Sequence, residues 1–134
     1  MNWYKQSQIK LKHKDDPNVS RAISAINSMG MANPLNPRER VIDGVKVAVR
    51  PYDEGMLWLT SIEAMEKGKG HGTAVLRKIL DTADQYNVVV YLDPMPFGDT
   101  NTKQLVKWYT GMGFVRGTGY FGAGMIHYPK GKEM

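Results

Sequence analysis

Residues Lys67-Gly68-Lys69-Gly70-His71-Gly72-Thr73 alternate glycine with polar and cationic side chains. Glycines at 68, 70 and 72 let the backbone turn sharply and approach a ligand closely. Patterning places a strand before this run and a helix after it. The first amides of such a helix have no internal partners, and the helix dipole favours negative charge there. That is the chemistry of a phosphate site. Lys67 and Lys69 add positive charge to it. The competing reading is a glycine turn with solvated lysines. The strand–loop–helix setting and the flanking cations favour phosphate.

The kinase-type GxxxxGK[ST] string is absent. A dinucleotide fingerprint is a closer rival, because Asp93 ends the next strand about twenty residues on, where a ribose-binding acid belongs. Its spacing is wrong, however. The third glycine comes one position early, and Glu66 and Lys67 separate the strand from the first glycine. The chain also lacks room for repeated βαβ units.

The elements that must hold this loop are legible in the pattern. Ile9 and Leu11 alternate with lysines, suggesting a short strand. Asp16 can cap a helix with Pro17 in its first turn. Val19, Ala22, Ile23, Ile26 and Met29 then recur at helical spacing, with Gly30 as the stop. Residues 33–37 read as loop. Asp43-Gly44 between two apolar runs predicts a β-hairpin. Residues 51–55 read as a second turn, followed by a strand over 56–64. These three strands should pair antiparallel. After the glycine loop, Val75, Leu76, Ile79, Leu80 and Ala83 mark a helix ending near Asn87. Residues 88–92 form a continuous apolar run, as in a strand buried on both faces. Asn101 and Gln104 can form a capping box for a further helix. Residues 114–116 and 125–128 suit closing strands. The order predicts a mixed sheet with helices packed on it.

The chain has 134 residues, enough for one domain over 1–134 and not for two. It shows no repeat, linker or apolar run of bilayer-spanning length. The start, Met1 to Gln6, lacks the apolar core of a secretory signal. Cysteine is absent, which excludes disulfides, thiolate catalysis and cysteine metal sites and fits a reducing cytoplasm. The three histidines, His13, His71 and His127, have no metal-ligand spacing, so no metal is expected. The net charge of +5 suits an anionic partner as well as a solvated basic surface. Part of it, Lys67, Lys69, Arg77 and Lys78, gathers around the glycine loop.

A second segment, Leu105-Val106-Lys107-Trp108-Tyr109-Thr110-Gly111-Met112-Gly113-Phe114, changes the weight of the first. Together they resemble the GNAT superfamily of N-acetyltransferases, over residues 45 to 128. Lys67-x-x-Gly70-x-Gly72 corresponds to the superfamily's acetyl-CoA signature, [RQ]-x-x-G-x-[GA], with lysine in the first place. Tyr109 stands four residues before Gly113-Phe114, as in the second signature. The resemblance implies a GNAT-like α/β fold of α+β type: a central mixed, mostly antiparallel sheet flanked by helices, with strands splayed at the acetyl-CoA site.

It also implies roles. Loop positions Lys67, Gly68, Lys69, Gly70, His71, Gly72 and Thr73 would hold the CoA pyrophosphate, chiefly through backbone amides. Ile62, Glu63 and Ala64 would pair with the pantetheine arm. Tyr109 would donate a proton to the departing thiolate, a task suited to a phenol that is protonated at neutral pH. Taken without the family pattern, Tyr109 reads as an aromatic core residue. A neutral amine would attack the thioester directly. Glu63 is the candidate general base, acting through water, and Glu54 the second choice; a solvated strand residue is the competing reading of Glu63. His71 is expected at the surface. A homodimer is compatible with the resemblance, since many members dimerise.

The acceptor is not specified: a small amine, a peptide N-terminus and a protein lysine all remain. One alternative is a non-catalytic, CoA-binding regulatory protein of the same fold. Another is a basic nucleic-acid-binding module using lysines beside Trp3, Tyr4, Trp108 and Tyr109. It carries no recognised nucleic-acid motif.

Overall fold

A computed structural model describes residues 16–94, 101–117 and 124–130. The strand expected around Ile9 and Leu11 lies outside these residues, as do Trp3, Tyr4, His13 and the link between the two closing strands. Within them the order is α1 (Pro17–Asn27), β1 (Met31–Asn33), β2 (Asn36–Ile42), β3 (Val45–Asp53), β4 (Met56–Ala64), α2 (His71–Gln85), β5 (Val89–Leu92), α3 (Thr102–Gly111), β6 (Val115–Arg116) and β7 (Met125–His127). The strands form one sheet in the order β1-β2-β3-β4-β5-β7-β6. Every neighbouring pair is antiparallel except β4–β5, which the α2 crossover makes parallel.

Local chemistry explains the elements. The Asp16 carboxylate accepts from the Asn18 amide at 2.9 Å and caps α1. Its other oxygen accepts from the Gly55 amide at 3.0 Å, tying the helix start to the β3–β4 turn. Asp43 and Gly44 both take positive φ, 48° and 79°, as a two-residue hairpin turn requires. Asn101 and Gln104 form the expected capping box on α3.

Three expectations are corrected. Residues 33–37 are not simply loop: only Pro34 and Leu35 turn, and β1 and β2 pair around them. The second turn is also shorter than 51–55, because β3 runs to Asp53 and leaves Glu54 and Gly55 to reverse the chain. Pro51 and Asp53 are accommodated by a register shift there. Gly30 is no helix cap, since α1 ends at Asn27 and Ser28 occupies the cap. Gly30 serves close packing instead. A Cβ there would lie 2.2 Å from the Val41 carbonyl oxygen and 2.7 Å from Ile42.

The core lies on one face of the sheet. Cross-strand partners share a face, so Val45, Val47, Leu57, Leu59, Ile62, Val90 and Leu92 point together. They pack with Val19, Ala22 and Ile26 of α1, Val75, Leu76, Ile79 and Ala83 of α2, and Leu105 and Tyr109 of α3. All three described helices therefore cover the same side.

The β4 alternation breaks once. Leu57 and Leu59 are buried, then Ile62. Ala48 pairs with Ser61 but Val49 with Leu59, so Thr60 is an extra residue, a β-bulge. Its hydroxyl donates to the Ala48 carbonyl at 3.2 Å. Bulges bend a strand and sharpen its twist. Beside this one, β4 loses β5: their register runs Met56↔Val89, Leu57↔Val90, Trp58↔Tyr91 and stops.

Replacing Gly30 by alanine should cost about 2–3 kcal/mol, because its Cβ meets backbone that must shift. Urea unfolding measures this, and a midpoint equal to wild type would remove the close-packing role.

Candidate functional site

Two features converge where β4 and β5 part. The first is the start of α2. Gly70 is its N-cap residue, with φ of 78°, and no side chain caps it. The first helical bond there runs from the Ala74 amide to the Gly70 carbonyl, at 3.1 Å. The amides of His71, Gly72 and Thr73 thus lack intrahelical acceptors. The other two described helices have capping side chains, so α2 alone among them offers these donors uncapped. Gly68, also at φ 78°, makes the preceding turn. Side chains rarely adopt such angles.

The second feature is β4 beyond its bulge. Residues 59–64 have no partner on β5. Between this stretch and the α2 start lies a cleft of about 260 Å³, lined by Ile62, Ala64, Glu66, Lys67, Gly68, Gly70, His71, Gly72, Thr73 and Trp108. Of the expected cofactor residues, Ile62, Ala64, Lys67, Gly68, Gly70, His71, Gly72 and Thr73 are brought together. Lys69 is exposed and outside the lining. Glu63 is also outside it. Strand alternation turns it to the opposite face, where it pairs with Lys46 at 3.3 Å.

Trp108 is a wall of the cleft that the sequence marked only as a member of the second motif and, in the nucleic-acid alternative, as a stacking ring. Its indole N–H donates to the Thr73 hydroxyl at 3.0 Å, linking α3 to the first turn of α2. A Cβ on Gly72 would lie 3.7 Å from the Trp108 ring, so the indole packs closely over that glycine. The signal available was its place in the second motif, next to Tyr109.

Tyr109 is 5% exposed and does not line the cleft. Its ring packs 4.9 Å from that of Trp108 and 5.5 Å from that of Phe114. Burial pushes its pKa up to about 12. Its hydroxyl has no hydrogen-bond partner among the described residues, yet it is not among the sealed polar atoms. The oxygen therefore keeps an accessible edge.

His71 is half-buried, not a surface residue: its Nδ1 is sealed without a partner, 3.8 Å from where a Gly44 Cβ would lie. Glu54, the second candidate base, is exposed in the β3–β4 turn, at the opposite end of β4 from the glycine loop. No group of three or more metal-ligating side chains occurs among the described residues. None of the described helices is long and apolar enough to cross a membrane.

Among the described residues, the seven-stranded sheet, its single parallel junction opened beside a bulge, and the glycine loop leading into α2 define a GNAT-like fold. Among solved structures, the crystal structure of the anti-CRISPR protein AcrVA5 is similar to this chain. The match has a TM-score of 0.56 and 18% identity, covering 66% of this chain and 94% of the other. At that identity the likeness speaks for the fold. No protein-family model and no curated protein sequence matches.

Burial of Tyr109 gives a pH signature. The folded pKa lies above the ordinary phenol value of 10, so its stabilising effect is complete below pH 10 and is lost as pH rises toward 12. Across that window wild type should lose roughly 2–3 kcal/mol more stability than Tyr109→Phe. Parallel denaturation curves for the two proteins would refute this.

Proposed function

We propose that the chain is an acyltransferase of GNAT type, an N-acetyltransferase that moves acetyl from acetyl-CoA to an amine. One observation carries the reading: an uncapped helix N-terminus and an unpaired strand segment form two walls of one cleft. The loop amides from Gly68 to Thr73 suit a diphosphate, with Lys67 and Lys69 supplying charge. The free edge of β4 at Ile62 to Ala64 suits the amide-bearing pantetheine arm, which can add to it as a strand would. Trp108 flanks the path.

The chemistry follows from this placement. Acetyl-CoA bound in this cleft would bring its thioester toward the fork of β4 and β5, where a backbone amide at or near Ala64 would serve as an oxyanion donor. A lysine-type amine is mostly protonated at neutral pH. Glu63, on the far face of β4, accepts that proton through water. The neutral amine forms the C–N bond, the C–S bond breaks, and the proton left on the new amide nitrogen goes back to Tyr109 once it has protonated the sulfur. Tyr109, packed behind Trp108, keeps its proton throughout the neutral range and offers it to the departing sulfur. No metal takes part in this scheme. The acceptor is a small amine, a peptide N-terminus or a protein lysine, and the compartment is the cytoplasm. The non-catalytic CoA-binding reading shares the same cleft but gives Tyr109 no chemical task.

Tyr109→Phe separates the two. Calorimetry should find acetyl-CoA affinity within about twofold of wild type, while thiol release falls by about a hundredfold, the usual scale for loss of a proton donor. An unchanged rate would take Tyr109 out of the mechanism. Absence of acetyl-CoA binding by wild type would overturn the acetyltransferase reading itself.

A further inference from the structure

The helix-bearing face of the sheet holds the core, and it also holds a charge. Arg40 pairs across strands with buried Val47 and stands two residues from buried Ile42, so it points to the same side as both. It is half-buried, and its guanidinium makes no hydrogen bond or ion pair with any described residue. Taking a charge out of water is costly unless something pairs with it. The adjoining elements offer no such group. Helix α1 has neither aspartate nor glutamate from Pro17 to Asn27. Glu39, next to Arg40 in sequence, lies on the other face of β2, where it accepts from Asn33 at 3.1 Å and from Ser61 at 3.4 Å.

Arg40 opens instead onto a cavity. The β2–β3 register runs Ile42↔Val45, Val41↔Lys46, Arg40↔Val47 and stops, although β3 continues to Asp53. The two strands thus part at Arg40, beside α1. The space there is about 560 Å³. The sheet contributes Arg40 and Pro51 to its walls, and α1 contributes Ser20, Ile23, Ser24 and Asn27. Those four recur at i, i+3, i+4 and i+7, which is one face of a helix. The Ser20 and Ser24 hydroxyls and the Asn27 side-chain amide have no hydrogen-bond partner among the described residues, as the guanidinium has none. None of these residues lines the cleft beside the glycine loop.

We propose that this cavity is a second ligand site, which takes a small organic oxyanion: a carboxylate or a phosphate monoester with a modest apolar body. A planar guanidinium gives two parallel hydrogen bonds to either group. The hydroxyls and the amide on the facing helix supply further donors. Ile23 and Pro51 offer apolar surface to the rest of the molecule. The volume falls within the roughly 300–1,000 Å³ of small-molecule pockets and leaves room beyond the anion itself. An extended peptide fits less well, because Pro51 has no amide to give to an added strand. The site is independent of the acetyl-transfer reading, which gives none of these residues a task.

The test titrates the full-length, isotope-labelled protein with phenyl phosphate, with benzoate and, as an uncharged control, with benzyl alcohol. Both anions should move the amide signals of Ser24, Asn27 and Arg40 together and saturably at millimolar concentration, while benzyl alcohol leaves them in place. Arg40→Gln keeps hydrogen-bonding capacity without charge and should weaken both anions by about tenfold, the scale of one charge-assisted pair. Arg40→Lys keeps the charge without the planar fork and should fall between the two. Amide spectra otherwise like wild type show that the variants are folded. Tighter binding of phenyl phosphate assigns the ligand to phosphate esters, and of benzoate to carboxylates; either supports the proposal. It is overturned if neither anion moves these signals, if benzyl alcohol moves them equally, or if both variants bind the anions as wild type does. Shifts at Gly70 to Thr73 in the same titrations report on the glycine loop and bear on the cofactor reading alone.

Discussion

The architecture turns on the hydrogen bonds that β4 does not make to β5. A parallel pair held together along its full length would leave no space for a ligand between its strands. Here the pairing ends at Trp58–Tyr91, two residues before the extra residue Thr60. The antiparallel partner β3 follows β4 across the bulge and keeps pairing with it through Val45↔Ala64. One edge of the end of β4 is therefore anchored while the other faces the gap. Strand β5 is held in turn by β7, through Val90↔His127 to Leu92↔Met125. Each side of the opening thus has its own support. An opening maintained in this way needs no ligand to hold it apart.

What fills such an opening is decided by polar groups that the protein leaves without partners. Buried backbone donors are normally satisfied. At α2 the sequence supplies glycine where Asp16 and Asn101 serve the other described helices, and so leaves donors at the end nearest the gap. Trp108 fixes this end by bonding Thr73 and packing over Gly72. The two motifs are thus joined physically, through an indole that spans from α3 to α2.

Much of this was readable from residues. Asp43-Gly44 and the Asn101/Gln104 box carry stereochemical requirements that few other conformations meet, and both form as expected. The glycine loop was placed correctly because an apolar strand pattern precedes it and a helical one follows. The bulge was harder to see. Its trace is a spacing change from Leu57 and Leu59 to Ile62, which is equally compatible with a plain strand end. Strand β1 was missed because Asn33-Pro34-Leu35-Asn36-Pro37 has turn composition throughout, and pairing with β2 overrides that preference. The ring contacts among Tyr52, Trp58 and Tyr91 were invisible for another reason: strand register brings these residues together, and register is not written in any one segment.

Titrating the isotope-labelled protein with acetyl-CoA while following backbone amide shifts would show whether the cleft takes the cofactor. The largest changes should fall at Gly70, His71, Gly72 and Thr73, with a second set at Ile62 to Ala64 and little movement in β1 and β2. Shifts confined to other surfaces, or none at millimolar acetyl-CoA, would contradict it.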